Sequence, residues 1–185
     1  MVVQFGNKVI PYISIHLIDE DEDARILAAN ILGFIKSEAA VKDLLKRLNF
    51  EDGLNARYAI IEALGLIGSE KPVDALLAML DSEDMYIKIV IVESLGKIGS
   101  IKATPALMSL LSDEMLGGLC IDALGNIGAD IAINSIIEQF GDDLEINGKI
   151  VNAVSGIFRR SVAADSSHGG ELIKAICKQF FKKHS

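Results

Sequence analysis

Tryptophan is absent from this chain, aromatic residues make up only 5% of it, and only three of its 185 residues are proline. Because proline breaks helix interiors, so few prolines leave most of the length free to form helices. Leucine, isoleucine and alanine carry most of the apolar content, as is typical of packed helices. A chain of this length can bury one cooperative core without disulfides.

Long hydrophobic runs and an excess of basic charge are also lacking. No apolar run approaches the roughly 20 residues that span a bilayer, and the first seven residues do not have the pattern of a signal peptide. The formal net charge is -8, and so acidic a surface repels phosphate backbones. Neither a membrane nor nucleic acid is therefore an expected partner.

Cysteine is scarce as well. Cys120 and Cys177 lie in otherwise apolar stretches of helical character, so we expect them to be buried, reduced thiols. This predicts a reducing, cytoplasmic location.

Metal ligands and catalytic groups do not cluster in the sequence. The histidines are isolated, and the chain has no Cys-x-x-Cys or His-x-x-x-His pair, so no zinc site is expected. Ser166, Ser167 and His168 place a nucleophile beside a base, but neighbours in a loop rarely reach the geometry that catalysis needs. We therefore predict that the chain is not an enzyme and has no cofactor.

An acidic segment, from Asp19 to Asp23, imitates the opening of a calcium-binding loop. Such a loop needs glycine at its sixth position and glutamate at its twelfth. These positions are Ala24 and Asn30. We therefore interpret the segment as a solvated helix cap.

An internal repeat is the main feature that the sequence does contain. Four segments end in Leu-Gly and a fifth, degenerate copy ends in Ser-Gly; their glycines are Gly33, Gly65, Gly96, Gly125 and Gly156. The intervals between these positions are 32, 31, 29 and 31 residues. Three copies continue to a second glycine, at positions 68, 99 and 128.

A second landmark keeps phase with the glycines. Fifteen residues after each of the first four stands a large apolar residue that closes a short apolar stretch of helical spacing: Leu48, Leu80, Leu111 and Phe140. Each unit is therefore predicted to be a helix A, a tight turn and a helix B. The first glycine lets a neighbouring helix approach closely, the second ends helix A in a left-handed conformation, and acidic clusters cap the next helix A.

This pattern resembles the HEAT repeat, and in particular the short HEAT-like repeats of phycobilin lyases. The resemblance covers about residues 8 to 158 and includes a basic residue eight positions before the first glycine: Arg25, Arg57 and Lys88. It implies an all-α fold, an α-α superhelix built as a right-handed solenoid of helical hairpins. The chain has no His-Glu pair, which argues against the di-iron hydroxylase site found in one HEAT-like family.

We predict a single HEAT-like domain over residues 1–185. It comprises a partial repeat over 1–20, repeats over about 21–49, 50–81, 82–112 and 113–141, and a degenerate capping repeat over 142–185. The first segment is either the remainder of a longer protein or an atypical cap. Near the other end, residues 159–170 are predicted to form a polar loop before a last amphipathic helix over 171–183.

Helix B positions 13 and 14 after each glycine lie off the apolar stretch, so they are predicted to face outward. This row and its N-terminal equivalent supply the predicted partner-binding residues: Tyr12, His16, Lys46, Arg47, Met79 and Leu110. The row is basic at one end and apolar in its middle, which favours a groove for a protein or peptide partner.

The predicted function is therefore that of a protein-binding scaffold or regulatory module, and one hypothesis is that it forms part of a larger signalling protein. The alternative is a lyase-like or chaperone-like HEAT protein that acts on a bilin or protein substrate.

Overall fold

The structure, a computed structural model, describes residues 2–81 and 84–164, and within them the side chains of residues 7–160. Every regular element in these residues is helical. Short 3-10 turns cover Ile15–Ile18, Glu38–Ala40, Ile101–Ala103 and Asp130–Ala132. The α-helices are α1 (Val2–Ser14), α2 (Glu22–Ile35), α3 (Val41–Leu48), α4 (Leu54–Ile67), α5 (Val73–Met79), α6 (Met85–Ile98), α7 (Thr104–Ser109), α8 (Gly117–Ile127), α9 (Ile133–Glu138) and α10 (Leu144–Ala164).

The helices alternate as the repeat predicts. Even-numbered helices are the A helices and odd-numbered helices are the B helices, and each 3-10 turn leads into or continues a B helix. The chain divides into two compact units, Met1–Ile98 and Gly99–Ser185. In the first unit α2, α4 and α6 pack in sequence, and in the second α8 packs against α10. The predicted all-α class of HEAT-like hairpins is confirmed.

The first glycine of a repeat is where neighbouring A helices approach most closely. A Cβ atom on Gly33 would lie 2.9 Å from the Cα atom of Ala63, and a Cβ atom on Gly65 would lie 2.9 Å from the Cα atom of Ser94. Both distances are shorter than van der Waals contact, so only glycine permits this spacing. The hydroxyl of Ser94 donates a hydrogen bond of 3.0 Å to the carbonyl oxygen of Ile61, which satisfies a buried polar group between α4 and α6.

The second glycine ends the A helix, as predicted. Gly68, Gly99 and Gly128 all have a positive φ, of 72°, 76° and 78°. The first repeat lacks this glycine, and Lys36 adopts the left-handed conformation there with a φ of 53°. A residue with a side chain is sterically disfavoured in this conformation. The residue that ends α2 is therefore less suited to its backbone conformation than the glycines that end α4, α6 and α8.

The core follows the predicted phase. Leu64 and Leu95, at corresponding positions of α4 and α6, are fully buried, and so is Cys120 in α8. Burial raises the pKa of the Cys120 thiol to about 12, so this cysteine is a protonated apolar side chain at neutral pH. Cys177 lies outside the described residues.

Capping by aspartate is also found at four A helices. Asp21, Asp84, Asp113 and Asp143 each accept a hydrogen bond from a backbone N–H group in the first turn that follows. They offset the unpaired donors at the helix start and favour its dipole. At α4 the preceding carboxylate is instead Glu51, which has another role described below.

One predicted boundary is wrong. The polar loop expected to begin at residue 159 does not begin there, because α10 continues to Ala164. Three of the other A helices end at a glycine three residues after the first one, whereas Arg159 occupies this position after Gly156. Without a residue that favours the left-handed conformation, the helix continues. The expected helix over 171–183, and Ser166, Ser167 and His168, lie outside the described residues.

Candidate protein-docking site

An exposed apolar region of the first unit lies where the 3-10 turn after α1 meets α3. A cleft of about 370 Å³ opens there. Its walls come from α1 and the turn on one side and from α3 and Phe50, two residues beyond the end of α3, on the other. We call it the α1–α3 cleft, and it is lined by Pro11, Ser14, Ile15, Leu17, Ile18, Asp43, Lys46, Arg47 and Phe50.

Three large apolar side chains around this cleft face solvent. Ile15 is 63% exposed, Ile18 is 74% exposed and Phe50 is 70% exposed. The change from α-helix to 3-10 helix at Ile15 explains this arrangement, because it directs Leu17 into the core and leaves Ile15 and Ile18 outside. Clustered apolar groups of this kind mark interaction sites more often than isolated ones do.

Two predicted binding residues, Lys46 and Arg47, lie on the α3 wall of the cleft, and they differ in environment. Lys46 is exposed, whereas only 19% of the Arg47 side chain is accessible. The Nε atom of Arg47 donates a hydrogen bond of 2.8 Å to Glu51 Oε2, and its Nη2 atom lies 2.7 Å from the same oxygen. Arg47 is therefore engaged by a carboxylate of its own chain.

Glu51 is the centre of this network. Arg25 binds it in a bidentate manner, with Nε and Nη2 each donating at 2.9 Å, and the N–H group of Gly53 donates to Oε1 at 2.9 Å. The remaining Arg25 nitrogen, Nη1, donates to the backbone carbonyls of Asp19 and Glu20. Arg25 is the basic residue eight positions before the first glycine, so in this repeat that position joins the start of α2 to the end of α3.

The ionisation of Glu51 reflects two opposing effects. Burial of the side chain raises the pKa of this carboxyl group, but the hydrogen bonds from Arg25, Gly53 and Arg47 lower it more. The net pKa is therefore below the ordinary value of 4.5, and the carboxylate stays charged at neutral pH. The network holds Arg47 in place on the α3 wall of the cleft.

The other four predicted binding residues do not line the α1–α3 cleft. Tyr12 is exposed on α1. His16 lines a separate, smaller cleft between α1 and α2, and its Nδ1 atom lies 3.7 Å from the carboxylate of Asp19. Met79 ends α5 and is half-buried, and Leu110, also half-buried, belongs to the second unit. The α1–α3 cleft thus brings together Lys46 and Arg47 only.

The signal for this cleft that sequence reasoning missed is the pair Ile15 and Ile18. Ile15 belongs with His16 to the row predicted to face outward, but it was not among the predicted binding residues, and Ile18 lies outside that row. Phe50 follows the closing Leu48 by two residues. A phenylalanine beyond the end of the helix B apolar stretch is a sequence signal that could have indicated an exposed apolar side chain.

The second unit has a cavity of different character. It is polar, has a volume of about 550 Å³, and lies between α8 and α10. Arg160 donates a hydrogen bond to the backbone carbonyl of Gly125, and Lys149 pairs with Asp122 at its edge. Its lining is Asp122, Gly125, Asn126, Asn152, Ala153, Gly156, Arg159 and Arg160.

Neither a metal-binding cluster nor a membrane-spanning helix is found in the part of the chain that the structure describes. No group of three or more His, Cys, Asp or Glu side chains in them is placed to hold a metal ion. Among the helices that the structure describes, none combines the length and apolar character needed to cross a membrane.

A known family of helical repeats matches the part of the chain that contains the internal repeat. The family model for HEAT repeats matches residues 10–85 and again 73–147. Together these ranges cover more than half of the chain. The chain belongs to the HEAT-repeat family. The predicted recognition is therefore confirmed, and the matched ranges include the α1–α3 cleft. No curated protein matches the sequence.

Two solved structures are similar to this chain. A chain in the complex of CpcE and CpcF of phycocyanin lyase from Nostoc sp. PCC7120 is similar over 83% of this chain, with 25% identity and a TM-score of 0.70. An engineered protein is similar over 92% of this chain, with 20% identity and a TM-score of 0.56, and shows the fold alone. This chain spans 66% of the first neighbour's length and 51% of the second's.

Proposed function

We propose that this HEAT-repeat chain is a protein-binding module that docks a segment of a partner protein in the α1–α3 cleft. The observation that carries the proposal is the cluster of Ile15, Ile18 and Phe50, all more than 60% exposed, around one cleft. Exposed large apolar groups are costly unless a partner covers them, and burying one such side chain contributes about 1.5–3 kcal/mol. A partner with two apolar side chains at helical spacing fits this cluster.

The charged groups at the cleft indicate what lies beside those apolar side chains. Lys46 is exposed on the α3 wall, and Lys42, one turn earlier on the same helix, is exposed as well. Asp43 also lines the cleft, and Arg47 is paired with Glu51, a carboxylate that it shares with Arg25. The lysine pair therefore favours a partner segment with an acidic residue next to its apolar anchors, and this attraction speeds encounter at low salt.

A displayed library of random helical peptides tests the proposal. We expect selection on the wild-type protein to enrich peptides that combine apolar residues at positions i and i+4 with a neighbouring aspartate or glutamate. A selected peptide should bind an Ile18→Glu, Phe50→Glu double variant at least about tenfold more weakly, because one lost apolar contact is worth about 1.4 kcal/mol or more.

The matched control is a glutamate substitution at an exposed isoleucine outside the cleft. Ile101 is 62% exposed in the second unit, so Ile101→Glu should leave the affinity for the peptide unchanged. Lys46→Glu should weaken binding at low salt more than at high salt, since screening removes the charge term. Equal affinity of the double cleft variant and the wild type would refute the proposal.

A lyase-like or chaperone-like role is the second candidate function. It is supported by the similarity to a chain of the CpcE and CpcF complex of phycocyanin lyase. A tetrapyrrole would need polar groups for its carboxylates, and the cavity between α8 and α10 presents Arg159 and Arg160. A change in bilin absorbance on mixing with the wild type, lost in an Arg159→Ala variant, would favour this candidate; an unchanged spectrum would exclude it.

A further inference from the structure

The A helices of the first unit use one face to pack on the A helix before them. Ala63 of α4 lies against Gly33 of α2, and Ser94 of α6 lies against Gly65 of α4. Counted from the first glycine of each repeat, both are at position −2. The corresponding face also contains positions −5, −6 and −9, and every residue at these positions in α4 and α6 is buried: Ala56, Ala59, Ile60, Ile87, Val90 and Ile91.

The same face of α2 is apolar but only partly covered, since Ala28 at position −5 is buried whereas larger side chains beside it are not. Leu27, at position −6, is 60% exposed, and Ile31, at position −2, is half-buried. Phe34, one turn after Ile31, extends the stripe and is 78% exposed. Ala28 and the half-buried Ala24 complete the wall of a cleft of about 180 Å³ whose other wall is α1. We call Leu27, Ile31 and Phe34 the α2 stripe.

The size of these side chains indicates what the α2 stripe does not bind. The positions that hold Ala59 and Ala63 in α4 hold Leu27 and Ile31 in α2. Large side chains there prevent the close approach that Gly33 and Gly65 allow, so the stripe does not suit another glycine-containing A helix. It suits a helix at the ordinary separation of 8–10 Å, with side chains that interdigitate.

We propose that the α2 stripe of one copy of this chain docks on the α2 stripe of a second copy, with the two helices antiparallel. A two-fold interface uses the same patch on both partners, and an apolar stripe is complementary to itself. Leu27 of the second copy packs between Ile31 and Phe34 of the first copy, and Leu27 of the first copy packs in the same way on the second.

Charge fixes the relative direction of the two helices. The start of α2 follows an acidic segment, Asp19–Asp23, whereas Lys36 caps its end. A parallel pair would place the two acidic segments together, which repels. An antiparallel pair places Asp23, one turn before Leu27 on the same face, beside Lys36 of the second copy. The helix dipoles also favour the antiparallel arrangement.

Sedimentation velocity across a concentration series, from micromolar to sub-millimolar protein, tests this proposal on the full chain. We expect the wild type to dimerise and Leu27→Glu to raise the dimer dissociation constant by about tenfold or more. Far-UV circular dichroism of the variant should be unchanged, because Leu27 is on the surface. A wild type that stays monomeric, or a Leu27→Glu variant that dimerises equally well, would overturn the proposal.

A charge exchange tests the antiparallel direction separately. Asp23→Lys and Lys36→Glu should each weaken the dimer at low salt, and the double variant should recover it, because the two residues face each other across the interface. Failure of the double variant to recover would show that the direction is wrong. Phe50→Glu, which alters the α1–α3 cleft, should leave the dimer intact, and Leu27→Glu should leave peptide binding intact, so the two proposals fail independently.

Discussion

Single residues explain where this HEAT-repeat chain departs from its own repeat. Lys36 stands where three later repeats have glycine, and its positive φ disfavours any side chain. The repeat tolerates this lysine because it is exposed and no packing depends on it. Glu51 is the opposite case: its burial is tolerated only because three donors surround it.

The Lys36 position gives a prediction with a built-in comparison. Lys36→Gly should stabilise the chain by up to about 1 kcal/mol, because relief of the left-handed strain outweighs the added freedom of glycine in the unfolded state. Gly68→Ala should cost about 1–2 kcal/mol. A Cβ atom on Gly68 would meet nothing within 4 Å, so this cost comes from the backbone alone. Chemical denaturation measures the free energy of unfolding of both variants. If neither variant differed in stability from the wild type, this explanation would be contradicted.

The Glu51 network predicts a dependence of stability on pH. Its pKa is lower in the folded state than its ordinary value of 4.5, so the network contributes fully at neutral pH and loses its contribution as pH falls through the folded-state pKa. Glu51→Gln should cost about 3–5 kcal/mol at pH 7, because two arginines lose their partner. Urea titrations should show this difference shrinking below pH 4.5. A difference that stays constant in acid would show that the charge of Glu51 is not its source.

Glycines set the distance between neighbouring A helices, and a substitution at Gly65 tests this role directly. In isolation, Gly65→Ala should favour the helix by roughly 1 kcal/mol. In the fold, its Cβ atom would lie 2.6 Å from Ser94 Oγ and 2.9 Å from Ser94 Cα, so we expect a net loss of about 1–3 kcal/mol from overpacking.

Gly148 of α10 provides the matched control for Gly65. A Cβ atom there would meet nothing within 4 Å, so Gly148→Ala should stabilise the chain by about 0.5–1 kcal/mol through helix propensity alone. Midpoints of denaturation should therefore shift in opposite directions for the two variants. A shift in the same direction would mean that close approach of α4 and α6 does not require glycine.

Leu95 tests the phase of the repeat. It is fully buried in α6, so Leu95→Ala should cost about 2–5 kcal/mol, the range for a leucine in a packed core. Lys97→Ala, an exposed change on the same helix, should stay within about 0.5 kcal/mol of the wild type. An unchanged denaturation midpoint for Leu95→Ala would contradict the assignment.

How far the sequence predicts these elements depends on which interaction decides each one. Helix ends set by glycine, as at Gly68, were predictable because the cause is local. The end of α10 was not, because Arg159 replaces the expected glycine and the helix continues. The site was predictable in part. Lys46 follows from the repeat phase, but the pairing of Glu51 with Arg25 depends on a contact between segments that are distant in the sequence.

At the scale of the whole molecule, the two surfaces of the first unit have separate roles in this account. The α1–α3 cleft faces a partner protein, and the α2 stripe faces a second copy of the chain. They lie on opposite flanks of α1 and its 3-10 turn, since Ile15 and Ile18 line the α1–α3 cleft while Ile13 and His16 line the cleft beside α2. Occupation of one flank therefore does not block the other.

Methyl NMR of isoleucine side chains, during titration with a peptide selected on the wild-type protein, tests the central claim most directly. The account predicts that the δ1 methyl signals of Ile15 and Ile18 shift with peptide occupancy. Ile101 and Ile131 are similarly exposed but belong to the second unit, so their signals should not move. Shifts confined to Ile101 and Ile131, with Ile15 and Ile18 unchanged at saturation, would contradict the α1–α3 cleft as the binding site.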